Sequence, residues 1–142
     1  MKKEIFGISI VLVILLIIGY YVYSMTYKYI DDYTPEEIYN IFQNDEKQAL
    51  IEFQNKVFLF RNTSVLSYEK SVLKEGKYSV SLYKPQENFF FYATVLCYLD
   101  VTELEGVNIG GKVDISGTLI NFDYHERVIF ENCKIHKVYL HD

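Results

Sequence analysis

The chain has 142 residues and a mass of 16.8 kDa, room for one ordinary domain rather than two. Half of it is hydrophobic and 23% is charged, which excludes both a disordered chain and an all-membrane one, and two Cys exclude a disulfide-dense scaffold. A net charge of −5 argues against a phosphate-binding protein, because nucleic-acid affinity rests largely on Lys and Arg displacing counterions.

The apolar residues are unevenly spread: residues 1–23 hold 17 of the 71, leaving 54 of 119 for the rest. Ile5 to Tyr27 is a run of 23 residues without a charge. About 20 helical residues cross a hydrocarbon core, so this run predicts one transmembrane helix. Lys2 and Lys3 precede it, and Lys28 follows beside Asp31 and Asp32, which favours the N-terminus inside and the body outside the cytoplasmic membrane. Tyr20, Tyr21, Tyr23, Tyr27 and Tyr29 supply the aromatic belt expected at the outer interface. A cleaved signal peptide fits less well, since bulky residues follow the run where small ones would be needed. The expected layout is a cytoplasmic N-terminus at 1–4, a signal anchor at 5–27, a linker at 28–33 and a folded domain at 34–142.

The domain opens with Thr34-Pro35-Glu36-Glu37, a capping box with Pro at the first helical position. Ile38, Ile41, Phe42, Ala49, Leu50 and Phe53 recur at helical spacing, predicting one amphipathic helix that ends near Gln54-Asn55. From Lys56 the period changes to two. Val57–Phe60, extending toward Leu66, is the first strand, and Lys70 to Lys77 is a charged loop. Tyr78, Val80 and Leu82 alternate with Ser79, Ser81 and Tyr83 in the second strand. Phe89 to Leu99 is the third, apolar at its odd positions. Val101 to Gly111 reads as a short helical turn and loop, Lys112–Ile120 as the fourth strand, and Asp123 to Glu126 as a polar hairpin turn. In the last strand, Arg127–Tyr139, the apolar phase slips between Phe130 and Cys133, which predicts a β-bulge near Glu131-Asn132.

Five strands with their one long interruption between the third and fourth match the order of an OB-fold barrel, here with an N-terminal amphipathic helix. An SH3-like barrel, or an open sheet packed on the helix, shares that order of elements. The stretch from Tyr33 to Ile135 also resembles the bacterial tRNA-anti-like family of OB-fold domains. Gly110, Val113 and Gly117 fit its Gly-x-x-Val-x-x-x-Gly pattern, Glu131-Asn132-Cys133 fits its Glu-Asn-Cys, and Cys97 matches a Cys late in the third strand. Upstream, Asp45-Glu46, Ala49, Phe53, Asn55 and Lys56 align with the family's helix end, with its Asn, Tyr and Gly replaced. The resemblance implies an OB fold, many members of which follow a membrane anchor or lipoprotein signal, and it brings no catalytic residues.

The first candidate site is the strand face opposite the core: Ser79, Ser81 and Tyr83 on the second strand, with Phe90, Tyr92, Thr94 and Tyr98 on the third. In OB domains this face takes oligonucleotides or oligosaccharides. The competing expectation is that the N-terminal helix covers it and turns it into core. Nucleic acid is disfavoured, because residues 24–142 carry 12 basic and 18 acidic side chains. The second candidate is Cys97 with Cys133, on strands that neighbour each other in an OB topology: either a disulfide or two small buried apolar residues. His125, His136 and His141 lack metal-ligand spacing, no nucleophile elbow or phosphate loop occurs, and no cofactor is implied. The sequence therefore predicts a membrane-anchored, non-catalytic binding module, single-pass, engaging a protein or glycan outside the cytoplasmic membrane, with nucleic acid as the alternative ligand.

Overall fold

The structure, a computed structural model, describes residues 2–26, 28–85 and 94–140. It is mainly β, with a six-stranded mixed sheet and three α-helices. The first helix, α1 (Lys2–Thr26), contains the long uncharged run. Its side chains are described over residues 7–23, and every large hydrophobic one there is at least 47% exposed. No helix among the described residues is long and apolar enough to cross a membrane.

The segment after α1 is tied down rather than free. Ile30 bridges in parallel to Phe58, with its N–H donating to Val57 O and its carbonyl accepting from Leu59 N–H, each at 2.9 Å. The expected single amphipathic helix is two: α2 (Pro35–Asn44) and α3 (Glu46–Phe53). Thr34 caps α2 as expected, its Oγ1 accepting from Glu37 N–H at 3.2 Å. Asp45 makes the break. Its backbone leaves the helical region at φ −154, and its carboxylate accepts from Gln48 N–H to start α3, the local side-chain bond through which Asp competes with helix continuation. Asn55 then takes φ 65 after α3, the left-handed conformation that Asn tolerates.

The strands are β1 (Val57–Ser64), β2 (Ser67–Lys70), β3 (Lys77–Tyr83), β4 (Val95–Asp100), β5 (Lys112–Phe122) and β6 (Val128–Val138), with a 3-10 turn at Val101–Leu104. Their order in the sheet is β1-β5-β6-β4-β3-β2, antiparallel except for the β4–β6 seam. The expected first strand is β1 alone; the chain divides after it, and β2, which takes in Lys70 of the expected charged loop, is a strand not foreseen, the two being the outermost of the sheet. At the division, Val65 N–H donates to Gly111 O and Gly110 N–H to Val65 O, while Leu66 N–H turns to Ser81 O. Gly110 sits at φ 82, where a residue with a Cβ is strained, so the glycine lets this corner form. The bulge expected near Glu131-Asn132 is present: the β5–β6 register slips there and Asn132 has φ 52.

One core lies on the helix-covered side of the sheet. Phe58, Phe60 and Phe130 meet edge to face with centroids 5.3 to 6.1 Å apart or stacked, and α2 and α3 close it with Ile38, Tyr39, Phe42, Ala49 and Phe53. The odd positions of β4 (Val95, Cys97 and Leu99) belong to this core. Phe89 to Ala93, expected as the first half of that strand, lie outside the described residues.

Candidate functional site

The helices do not cover the opposite face of β3 and β4. Strand register places Ser79 across from Tyr98 and Ser81 across from Leu96, and these four side chains line a groove of about 610 Å³. Leu66, Ser67 and Tyr68 and the following loop form its other side, with Lys84 and Arg127 also lining it. The face expected to be bare, or covered by the N-terminal helix, is instead overhung by β2 and the loop after it, so Ser81 and Tyr98 are each only 8% exposed. Lys74 fixes the overhang: its ammonium lies 5.1 Å from the centroid of the Tyr98 ring and pairs with Glu131 on β6. Beside it Val72 and Leu73 project into solvent.

The remaining expected residues separate. Tyr83 lies on the core side of the sheet, because the β3–β4 register slips between Ser81 and Tyr83. Its ring is 5.5 Å from that of Tyr39 on α2, and it lines a second cavity of about 390 Å³ beside Asp31, Asp32, Glu36 and Arg61. Burial, with Glu36 nearby, pushes its hydroxyl pKa up. Thr94 is buried and structural: its N–H and hydroxyl both donate to Tyr83 O at 3.0 Å, and its carbonyl accepts from Val128 N–H. Phe90 and Tyr92 lie outside the described residues. Cys97 and Cys133 are free thiols, both buried. The disulfide considered for them is not formed in this structure.

Charge distinguishes the groove from the rest of the surface. Its lining carries Lys70, Lys84 and Arg127 against Glu69, leaving nine basic and 17 acidic residues elsewhere in 24–142. Arg127 is partly neutralised, since its guanidinium donates from Nε at 2.8 Å and Nη2 at 2.6 Å to Asp123 Oδ2. Burial raises the Asp123 carboxyl, but the bonds from Arg127 and from His125 N–H outweigh it and hold the group below the ordinary carboxylate range. Sequence reasoning missed Leu96, Arg127 and the overhang, because the turn after β1 that leads into β2 depends on contacts with Gly110 and Gly111, far along the chain.

A pairing with catalytic chemistry was also invisible in the sequence. Ser116 Oγ lies 2.7 Å from His136 Nε2, across the β5–β6 pair. A nucleophile of this kind needs a base oriented by a third group. The ring contact of His136 is the edge of Tyr29, and the nearby Asp114 already accepts from Asn62 N–H at 2.8 Å and the Tyr139 hydroxyl at 2.9 Å. Among the described residues no group of three His, Cys, Asp or Glu is placed to hold a metal.

No protein-family model matches the chain, and no curated protein matches it. A crystal structure of similar fold is that of a candidate nucleic acid-binding lipoprotein from Klebsiella pneumoniae, 14% identical, covering 74% of this chain and 90% of that one with a TM-score of 0.58. At that identity the likeness is one of fold.

Proposed function

We propose that this protein is a non-catalytic binding module of the OB-fold class, displayed outside the cytoplasmic membrane on α1, with the outer groove of β3 and β4 receiving a protein or glycan chain. The fold reading is supported by the sheet order: β1 and β2 are consecutive parts of one bent segment, so its two halves serve opposite ends of the sheet, as the first strand of an OB barrel does. The Gly110, Val113, Gly117 and Glu131-Asn132-Cys133 motifs ally it with the tRNA-anti-like domains. The anchor is supported by the 23-residue uncharged run and by the exposure of its aliphatic side chains, which water would not favour.

The observation that carries the binding role is the groove itself. Ser67, Ser79 and Ser81 offer hydroxyls beside Tyr98 and Leu96, a mixture suited to a hydroxylated or peptide chain with an apolar face. Full-length protein in detergent micelles, screened against a glycan array and against envelope proteins by cross-linking from the groove, should bind through it. Ser81→Arg, which fills the groove, should abolish that binding. Retention of binding by Ser81→Arg would move the site elsewhere.

A second reading, nucleic acid, is favoured by the basic excess in the lining and by the name of the Klebsiella neighbour. It requires affinity for a single-stranded oligonucleotide that falls steeply with salt. The acidic remainder of the domain opposes it, and an absence of binding at low salt would dispose of it.

A further inference from the structure

Cys97 ends the paired part of the β4–β6 seam, opposite Phe130, and Cys133 lies three residues further along β6; the two are 1% and 3% exposed. This seam is the parallel one, and its register covers three residues of each strand, Val95 to Cys97 against Val128 to Phe130. Parallel pairing is slightly the weaker kind per residue. The two side chains belong to one buried cluster, in which Cys97 is the neighbouring group that acts on the Cys133 thiol. Gly117 on β5 clears the space beside them: a Cβ there would lie 2.6 Å from Cys133 Sγ. The pair therefore has contact, a seam to join and room kept free by a glycine. Burial and the neighbouring thiol push the Cys133 pKa well above its ordinary value, so the folded pair holds little thiolate and is shielded from oxidants in solution. Oxidation then belongs to folding, before the seam closes.

We propose that Cys97 and Cys133 are joined during folding into an intrachain disulfide that clamps β4 to β6 directly beneath the groove. The proposal rests on the placement of the domain outside the cytoplasm, where an oxidising thiol–disulfide partner is at hand. One cysteine thiolate attacks the disulfide of that partner, an oxidoreductase or oxidised glutathione, and forms a mixed disulfide while one partner thiol leaves. The second cysteine, losing its proton, attacks the mixed disulfide. The Cys97–Cys133 bond forms and the second partner thiol leaves, so two electrons and two protons end on the oxidant.

The test refolds the full chain from denaturant, in detergent, with reduced and oxidised glutathione, then quenches with acid, alkylates and weighs it. The expected product is monomeric, lighter by two hydrogens, resistant to alkylation, and higher in Tm than the reduced chain by roughly 10 °C. Because the oxidised and reduced forms share one sequence, no variant has to fold for the comparison to be read. A refolded chain that takes up two alkyl groups, or that carries glutathione or intermolecular links instead, overturns the clamp whatever the location of the domain. A chain that forms the bond in the tube but is fully reduced when trapped from cells overturns the extracytoplasmic placement and, with it, oxidation of the pair in the cell.

Discussion

The two faces of β4 are buried almost equally and by different means. Val95, Cys97 and Leu99 face the core with α2, α3 and interlocking phenylalanine rings, whereas Leu96 and Tyr98 face the groove under a loop held by the Lys74 ammonium. Packing density and cooperativity belong to the first face. The second is covered by charged, partly exposed groups whose contacts are individually weak. Equal burial thus hides unequal commitment: one side stabilises the fold, and the other can be uncovered at small cost.

The sharpest way to break this comparison is to truncate one residue from each face. Phe130→Ala removes a fully buried ring that touches Phe58 and Phe60, and should cost about 3–5 kcal/mol in denaturant unfolding. Tyr98→Ala should cost clearly less, and equal losses would show that the groove face is core. Next comes Gly117→Ala, whose Cβ would meet Cys133 Sγ at 2.6 Å and Phe130 Cβ at 3.1 Å, with an expected loss of about 1–3 kcal/mol. With both proteins held reduced, so that no Cys97–Cys133 bond enters the comparison, adding Cys133→Ala to it should recover part of that loss, whereas strict additivity would mean that the sulfur is not the obstacle.

Acid provides a third probe. Burial raises the Asp114 carboxyl, but the Asn62 N–H and Tyr139 hydroxyl, helped by Lys137 and Arg61, hold it below its ordinary value of 3.8. Asp123 is lowered likewise, through Arg127. Groups depressed on folding contribute their stability fully above the unfolded pKa and lose it as pH falls through the folded one. Unfolding measured from pH 6 downward should therefore show stability falling below about pH 4, less steeply in Asp114→Asn. An unchanged slope would remove Asp114 from the account. The smallest effect is reserved for the cover. Lys74→Ala should change global stability by less than about 1 kcal/mol. It should nevertheless speed amide exchange in the loop between β2 and β3, and unaltered exchange there would show that the cation does not hold it.

Much of the architecture was legible because the responsible signals are local. The capping box, the alternation through β3 and β4, the change of phase at Glu131-Asn132 and the polar turn at Asp123 each rest on residues within a few positions of one another. The helix break at Asp45 was legible too, since an Asp three residues before Gln48 is itself an N-cap signal, but the continuous apolar stripe from Ile38 to Phe53 masked it. The existence of β2 was not, for the chain turns at Val65, where its backbone bonds Gly110 and Gly111, far along the sequence. The same holds for the groove. Its floor, Ser79, Ser81 and Tyr98, follows from alternation, while its cover depends on Lys74 finding Glu131 across the sheet. Tyr83 left the expected set because of the bulge between Ser81 and Tyr83, a one-residue slip that strict alternation does not foresee, and Thr94 because it precedes β4 and is bonded to Tyr83 O.

The bridge from Ile30 to β1 sets the reach of the domain. Three residues lie between Thr26, the last position of α1, and Ile30, which makes that first backbone bond, a leash of four steps and at most about 14 Å when fully drawn out. A surface that holds α1 would therefore keep the domain within a molecular diameter of itself. A partner reaching the groove would have to come from the immediate neighbourhood of that surface, where confinement raises its effective concentration and lets a weak contact suffice.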